Sequence, residues 1–344
     1  MMSTCSASVA GNSRAALFPS PLFRQSKTAF RCYSSSSSLD HASFIKNVAA
    51  TQPPEHLNCL LDMLQVRGEQ LVSPTTKKGV FPLAIPLSKQ SSGAVTALLR
   101  WPTAPLGMEM PVVEVRKYGV WLLAKNVDQY IHRILVEEDA CSHADSDALF
   151  HASAGVQEKV YKRGEFAASQ ISSLDIYLWK KVGLFPDLIE RKIKQHFDKG
   201  DDISAMVTGE FYTRKEHFPG FGRPFVFNAE ILLKVGRRAE AKDAARGALK
   251  SPWWTLGCEY KNVAKMAEWE EEQIEFIKEK VTKEGREQDL KKGKDTAQIA
   301  LDEAAFLLDL ASVEGNWDDC VDRIGECYKD AGLHDMANFV VCRD

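Results

Sequence analysis

The stretch RPFVFNAEILLKVGRRAEAKDAARGALKSPWW, residues Arg223–Trp254, carries two apolar stripes on either side of Gly236. Within each stripe the apolar residues recur at spacings of three and four, which is the pattern of one buried helix face. Glycine adopts the left-handed conformation at little cost, so we expect the chain to reverse at Gly236. Pro252 is expected to end the second helix. The stripes are Phe225, Val226, Ala229, Leu232 and Leu233, then Ala241, Ala244, Ala245, Ala248 and Leu249.

A helix pair of this length resembles a tetratricopeptide unit, which has roughly 34 residues and cannot bury its apolar face alone. Gly200 and Gly315 mark weaker matches, since each follows an apolar helix face and precedes a small residue by five positions. We therefore predict stacked helical hairpins from about Leu174 to the carboxyl end. A charged helix at Tyr260–Lys283, followed by a loop at Glu284–Lys294, is expected to fill the gap. The alternative is a helical bundle without repeat ancestry.

Residues 80–123 have a different pattern, in which glycine and proline punctuate short apolar runs. This is typical of short antiparallel strands and turns. The predicted fold is mainly α (α+β overall), with a small antiparallel β unit of three or four strands near the N-terminus. The predicted division is 1–40 as a transit segment, 41–125 as a helix plus the β unit, and 126–344 as the helical repeat domain. The predicted strands are Val80–Leu87, Val95–Trp101, Val112–Val115 and Val120–Leu123.

The first 40 residues contain eleven serines and four basic residues, and their first acidic residue is Asp40. That composition is typical of an organelle transit peptide, and the many serines favour the plastid over the mitochondrion; a disordered tail is the alternative. This segment carries +3 of a total charge of −3, so residues 41–344 carry −6. An acidic body disfavours nonspecific nucleic-acid binding. Apolar runs are too short for a membrane span, so membrane insertion is not expected.

Signatures of catalysis are weak. A loop holds five metal-capable side chains, but their spacing matches no structural zinc pattern. We find no glycine-rich phosphate loop, nucleophile elbow or paired cysteine motif. The sequence therefore predicts no catalytic, cofactor-binding or metal-binding residues, and no cofactor. The loop residues are Cys141, His143, Asp145, Asp147 and His151.

Stacked helices produce curved surfaces that bind other proteins, and aromatic residues are frequent anchors at such interfaces. The predicted partner-contact residues are Trp253, Trp254, Trp269, Phe218 and Phe221. The tryptophans have a second interpretation, as core between neighbouring repeats. The two phenylalanines lie in the turn HFPGFGRP, residues 217–224, where they are expected to be exposed or to shape a tight interhelical turn.

Three stretches resemble the plant plastid family of proteins in chloroplast ATPase biogenesis. They are PVVEVRKYGVWLLAKNVDQYIHR (Pro111–Arg133), FPGFGRPFVFNAEILLKVGRRAEAKDAAR (Phe218–Arg246) and EGNWDDCVDRIGECYKDAGLHDMANFV (Glu314–Val340). The resemblance implies a nonenzymatic assembly factor of the chloroplast stroma, which engages the γ subunit while the soluble F1 part of the ATP synthase is assembled. It implies no catalytic or contact residues.

Two other functions remain open from the residues alone. Plastids contain helical-repeat proteins that bind RNA, but those present recurring polar side chains at fixed repeat positions, and no such recurrence is seen near Gly200, Gly236 and Gly315. An unrecognised metal-binding enzyme centred on the loop from Cys141 to His151 is the second alternative.

Overall fold

The computed structural model describes residues 40–104, 108–141, 147–156, 159–269 and 271–344. Within these ranges the protein is mainly helical, with sixteen α-helices and one antiparallel sheet near the N-terminal end. Leu39–Asp344 forms one compact unit. The predicted fold class is therefore confirmed.

The N-terminal part consists of two helices followed by a sheet whose five strands lie in chain order. β3, β4 and β5 lie where the sequence predicts them, whereas β2 begins four residues later than the predicted strand Val80–Leu87. The sheet has one strand more than the three or four predicted, because β1, of two residues, is too short to leave an alternating pattern. Pro86 pairs with Ala97 of β3, while β1 pairs only with Ser88 and Lys89, so Pro86 lies outside the β1 ladder. The elements are α1 (His41–Asn47), α2 (Leu57–Val66), β1 (Gln70–Leu71), β2 (Ala84–Lys89), β3 (Val95–Leu99), β4 (Val112–Arg116) and β5 (Gly119–Ala124).

Four helices connect the sheet to the repeats, and the last of them continues into a π-helical turn at Leu178–Val182. The hairpins then form where the glycine alignment predicts them. Gly200, Gly236 and Gly315 all have left-handed backbones, with φ of 71°, 82° and 72°. The helices are α3 (Val127–Cys141), α4 (Asp147–Ala152), α5 (Glu165–Ala168), α6 (Leu174–Tyr177), α7 (Pro186–Asp198), α8 (Asp202–Tyr212), α9 (Arg223–Lys234), α10 (Arg238–Ala248), α11 (Tyr260–Ala267), α12 (Glu272–Lys280), α13 (Lys283–Lys291), α14 (Thr296–Glu314), α15 (Val321–Asp330) and α16 (His334–Val341).

The single charged helix predicted at Tyr260–Lys283 is wrong. Glu268 adopts a left-handed conformation (φ 54°) that ends α11, and α12 begins only at Glu272. The predicted loop after it is also wrong, since α13 occupies Lys283–Lys291, with the Thr282 hydroxyl accepting from the Gly285 amide at 3.0 Å. Alternating charges alone do not predict where such a helix ends, because solvated helices and the solvated turns between them have similar charged compositions.

The repeat interpretation expects the helices beyond Leu174 to share one continuous apolar core. The structure has two core clusters instead. One core cluster joins the N-terminal helix, the sheet, α7 and the last three helices. A second cluster is built by α9, α10, α11 and α12 around Val226, Trp253 and Tyr260. Phe306 and Leu310 of α14 pack against both clusters and so connect them.

Candidate functional site

The tandem tryptophans after α10 are part of the core. Trp253 and Trp254 are only 2% and 3% exposed. The Trp253 amide donates to Asp309 Oδ1 at 2.7 Å, and its indole ring stacks on Tyr260 at 4.1 Å between centroids. The Trp254 ring lies 4.4 Å from that of Phe81. Burial therefore favours the packing interpretation of these two residues, while a contact with a partner stays a prediction.

Of the two interpretations of Phe218 and Phe221, the exposed one is wrong, because they are 4% and 6% exposed. Their contact with a partner stays a prediction. Each meets a neighbouring ring edge-on: Phe218 meets Tyr212 at 5.4 Å and Phe221 meets Trp101 at 5.9 Å. They pack this way because the turn between α8 and α9 folds back onto the sheet. The glycines of this turn permit the close approach, since a Cβ on Gly220 would lie 3.0 Å from the Trp101 ring.

Trp269 is the one predicted contact residue that is partly exposed. The Arg246 guanidinium lies over its ring at 4.7 Å, while Arg246 Nε donates to the Ala267 carbonyl at 3.0 Å. Of the five predicted contacts, it alone offers solvent-accessible side-chain surface beyond a few per cent. Its contact with a partner also stays a prediction.

A surface groove does run beside the two phenylalanines. A hollow of about 290 Å³ is lined by Phe218, Pro219 and Phe221. It adjoins a larger hollow of about 790 Å³, which lies against the Pro53–Pro54 segment. Met108, Glu109 and Asn126 line both hollows, so the two form one continuous depression. We refer to this depression as the Met108 groove.

The junction between β5 and α3 fixes one wall of the Met108 groove. Asn126 Oδ1 accepts from the Gln129 amide at 2.7 Å and so caps the first turn of α3. Gln129 Oε1 in turn accepts from the Lys125 amide at 2.6 Å. Asn126 Nδ2 donates to Glu109 Oε2 at 2.5 Å across the groove. Because these bonds order the helix terminus, the wall is held in place before any ligand arrives.

Most acidic groups of the Met108 groove are already paired. Glu55 accepts from Lys159 Nζ at 2.7 Å, and the hydrogen bond and charge of Lys159 lower the pKa of that carboxyl. Asp128 Oδ1 lies 2.7 Å from Nδ1 of the buried His56. With Glu109 bonded to Asn126, only Glu216 has no partner among the described residues.

The basic groups of the same groove lack carboxylate partners among the described residues. Lys46 and Lys125 are exposed, and Arg100 is half-buried with Nε donating to the Ala49 carbonyl at 3.2 Å. Burial lowers the pKa of Lys125 and the pKa of Arg100, because desolvation disfavours the charged form. The charge of Asp335 acts on Arg100, and Lys125 Nζ lies 5.7 Å from the centre of the Phe218 ring. Glu109, Asp128 and Glu216 bring three carboxylates to the same groove.

In the ranges that the structure describes, no three His, Cys, Asp or Glu side chains converge to hold a metal ion. Two of the five predicted metal-capable side chains, His143 and Asp145, lie outside those ranges. Asp147 is paired with Arg163. Among the described helices, none combines the length and apolarity that a bilayer crossing requires.

Comparison with known families covers almost all of the compact unit. Profiles described as PAB N-terminal, PAB middle domain and PAB C-terminal domain match residues 39–181, 186–270 and 274–342. The chain belongs to the PAB family. The PAB N-terminal match contains the sheet and runs on through α6, so the family divides the chain at other positions than the predicted boundary after residue 125. That predicted boundary stays a prediction.

Among curated proteins, the chain is similar to the Arabidopsis thaliana "Protein IN CHLOROPLAST ATPASE BIOGENESIS, chloroplastic". The two are 64% identical over 92% of this chain and 94% of the relative. No solved structure matches the chain. The Met108 groove lies between the PAB N-terminal match, which supplies Met108 and Asn126, and the PAB middle domain, which supplies Phe218 and Phe221.

Sequence reasoning missed most of this groove. Its walls come from residues 46–55, 100–128 and 216–221, and no local period links these segments. One sequence feature did indicate part of the groove, namely the turn at residues 217–224, which is rich in glycine and aromatic residues. It singled out Phe218 and Phe221 but did not show that their rings are buried at the base of the groove.

Proposed function

We propose that this protein is a nonenzymatic assembly factor of the chloroplast stroma, which binds the γ subunit while the F1 part of the ATP synthase is built. The observation that carries the proposal is the 64% identity, over nearly the whole of both chains, to a chloroplastic Arabidopsis protein named for ATPase biogenesis. Identity at that level over full length favours a shared cellular role.

The described residues support a binding function over a catalytic one. Helical hairpins joined at left-handed glycines build an extended surface, and such surfaces commonly hold other proteins. The serine-rich, basic first 40 residues are consistent with import into the plastid. Within the described ranges, no three His, Cys, Asp or Glu side chains converge on a metal site, and Glu190 is buried in an ion pair with Arg223.

The test is affinity purification of the tagged protein from isolated stroma, followed by mass spectrometry. We expect enrichment of the γ subunit over a tagged stromal control, and direct binding of recombinant γ rather than the other F1 subunits. Plants that lack the protein should accumulate less assembled F1 on native gels. Recovery of no ATP synthase subunit, with normal F1 in those plants, would refute the proposal.

A further inference from the structure

Helix α8 carries apolar side chains on the face that it turns to solvent. Ile203 and Val207, one turn apart, are 73% and 62% exposed, the largest values among the bulky apolar residues that the structure describes. The opposite face of the helix is buried through Ala205, Gly209 and Tyr212. A surface helix normally carries polar residues on its outer face, and a helix with apolar residues on opposite faces is normally covered on both. The outer face of α8 therefore calls for a second surface to cover it.

The helix cannot rotate to bury these two side chains, because its inner face is fixed. A Cβ on Gly209 would lie 2.6 Å from Ile231 Cδ1 and 2.9 Å from Asn228 Oδ1, so α8 and α9 are in close contact. Tyr212 Oη donates to the buried Glu190 at 3.3 Å and anchors the end of the helix. The apolar outer face is thus a constant feature of the surface.

Charged side chains flank this apolar face at both ends of α8, and five of the exposed ones form no ion pair with another described residue. These five are Lys199 and Asp202 at the start of the helix and Arg214, Lys215 and Glu216 after its end. A sixth, Asp201, caps the helix by accepting from the Ser204 amide at 3.0 Å, and its other oxygen lies 3.6 Å from His196 Nδ1. The Arg214 guanidinium lies over the Phe211 ring at 5.2 Å, which leaves its charge available to a carboxylate.

The order of the six charges is complementary to the same order read backwards. A base and two acids precede the apolar stretch, and two bases and an acid follow it. The Arg214 amide donates to the Phe211 carbonyl at 3.3 Å, so the chain keeps a helical course just past Tyr212. Two antiparallel copies related by a two-fold axis near Thr208 therefore bring opposite charges together at both ends. The facing pairs are Asp202 with Arg214, Asp201 with Lys215 and Lys199 with Glu216.

The same axis brings the apolar side chains of the two copies together. At a rise of about 1.5 Å per residue, Val207 lies within about 3 Å, measured along the helix, of Val207 in the second copy. Ile203 comes equally close to the level of Phe211 in the second copy. Packing these side chains against one another removes their apolar surface from water, which favours association.

Glu210, the remaining carboxylate of this face, also has a cation near it in the paired arrangement. It comes level with Met206 of the second copy, whose sulfur lies 3.6 Å from Arg237 Nη1. A two-fold interface requires such internal complementarity, because each residue of one copy meets the same set of residues in the other. An unrelated partner would not require it. The charge order therefore favours a second copy of this chain as the covering surface.

We propose that the outer face of α8 packs antiparallel against the same face of a second copy of the chain and so forms a symmetric dimer. Ile203, Val207 and Phe211 form its apolar centre, and charge pairs close it at both ends. One helix from each copy makes a small interface, so we expect a dissociation constant of about 10 µM. The inference does not rest on the proposed function, because it concerns this chain alone.

The first test is sedimentation equilibrium of the full chain at about 1 to 200 µM, a range that spans the expected constant. The wild type should show a monomer–dimer equilibrium. Ile203→Asp with Val207→Asp changes exposed residues, so circular dichroism should show an intact fold. This variant should stay monomeric, which corresponds to a loss of about 100-fold in affinity, because its four carboxylates would be buried in the apolar centre. The matched control is Val66→Asp with Leu290→Asp, at positions 45% and 43% exposed on other helices, and it should dimerise as the wild type does.

The second test exchanges charges between the copies. Asp202→Arg alone, and Arg214→Asp alone, each place like charges opposite one another at both ends of the dimer. Each should weaken dimerisation by about tenfold. An equimolar mixture of the two variants should form a heterodimer of about wild-type affinity, because every altered residue then faces the opposite charge. Contacts within one chain cannot produce that recovery.

Three results would overturn the inference. They are a wild type that stays monomeric at the highest concentration, a dimer that persists in the variant with Ile203→Asp and Val207→Asp, and a mixture that associates no more tightly than its components. If the wild type is monomeric and the same variant loses recombinant γ subunit, the face binds the client instead of a second copy. Recovery in the mixture, with a monomeric double-aspartate variant and an unchanged control, supports the dimer whether or not γ is the client.

Discussion

At the scale of single residues, Lys77 is the most unusual group in the fold, because its side chain is fully buried. Nζ donates to the Phe339 carbonyl at 3.1 Å and lies 3.8 Å from the centre of the Phe339 ring. Burial lowers the pKa of Lys77 to about 7. Its sequence context, a polar turn, gave no sign of this burial, since the covering residue is more than 250 positions away.

The first prediction concerns the pH dependence of Lys77. Its folded pKa lies below its unfolded value of 10.5, so the unfolded chain holds more protons between about pH 7 and 10.5, and the contribution of Lys77 to stability rises with pH in that window. Lys77→Met has no such titration. As the pH rises through this window, the free energy of unfolding of the wild type should therefore increase relative to that of the variant, by up to about 1.4 kcal/mol per pH unit. Urea denaturation at several pH values measures this, and parallel curves would contradict it.

The second prediction concerns the buried ion pair that links α7 to α9. Glu190 is 5% exposed and accepts from Arg223 through both oxygens, at 2.8 and 2.9 Å, while Tyr212 also donates to it at 3.3 Å. Glu190→Gln removes the bidentate partner of Arg223 and leaves it only the more exposed Glu230, 3.1 Å from Nη1. The change should cost about 2 kcal/mol in the free energy of unfolding, because two charge-assisted hydrogen bonds in a buried site are weakened.

The control for that change is Glu240→Gln, which removes an exposed pair with Arg237 at 2.6 Å. Exposed pairs contribute at most about 1 kcal/mol. Denaturation by guanidinium should therefore separate the two variants clearly. Equal losses would show that burial does not set the strength of these pairs.

At the scale of elements, the third prediction tests the contact between the sheet and the repeats. Gly119 begins β5, and a Cβ there would lie 2.0 Å from the Trp254 carbonyl oxygen, so Gly119→Ala must displace one backbone from the other. We expect a loss of about 2 kcal/mol or more in stability. Thermal unfolding followed by calorimetry measures the loss.

Gly236→Ala is the matched control, because its φ is also positive but no atom lies within 4 Å of the added methyl group. That change should cost only the conformational penalty of about 1 kcal/mol. If both substitutions lower the melting temperature equally, the close approach of Gly119 to Trp254 does not stabilise the contact between the sheet and the helical hairpins.

The local sequence pattern predicts the bounds of some helices better than those of others. The hairpin of α9 and α10 was predictable to within two residues, because its apolar stripe, its glycine and its proline agree. The region of α11, α12 and α13 was not, since its breaks are set by Glu268 and by the close packing of Gly285, whose added Cβ would lie 2.4 Å from the Glu279 carbonyl oxygen. Such breaks depend on packing partners rather than on periodicity.

At the scale of the whole molecule, the two ends of the described chain meet. The Phe44 and Phe339 rings lie 6.2 Å apart, edge to face. The Asp344 amide donates to the Thr75 carbonyl at 3.0 Å, and the Gly79 amide donates to Asp318 at 3.1 Å. The helical hairpins therefore do not end in an open array, because the last one covers the N-terminal elements.

The fourth prediction follows from this closure. Phe339→Ala removes a fully buried ring and should cost about 3 to 5 kcal/mol. Hydrogen exchange should accelerate in α1 as well as in α16, because each covers the other. Val341→Ala, at a position 39% exposed in the same helix, should change stability by about 0.5 kcal/mol or less. Faster exchange confined to α16 would contradict the closure.

The sequence by itself determined the class of the fold, most of its hairpins and its family, because each of these depends on local period, on turn residues or on likeness along the chain. It did not determine which aromatic residues reach the surface. Trp253, Trp254, Phe218 and Phe221 are buried by segments distant in sequence. The Met108 groove was decided only by tertiary structure, since a groove exists where segments distant in sequence meet in space.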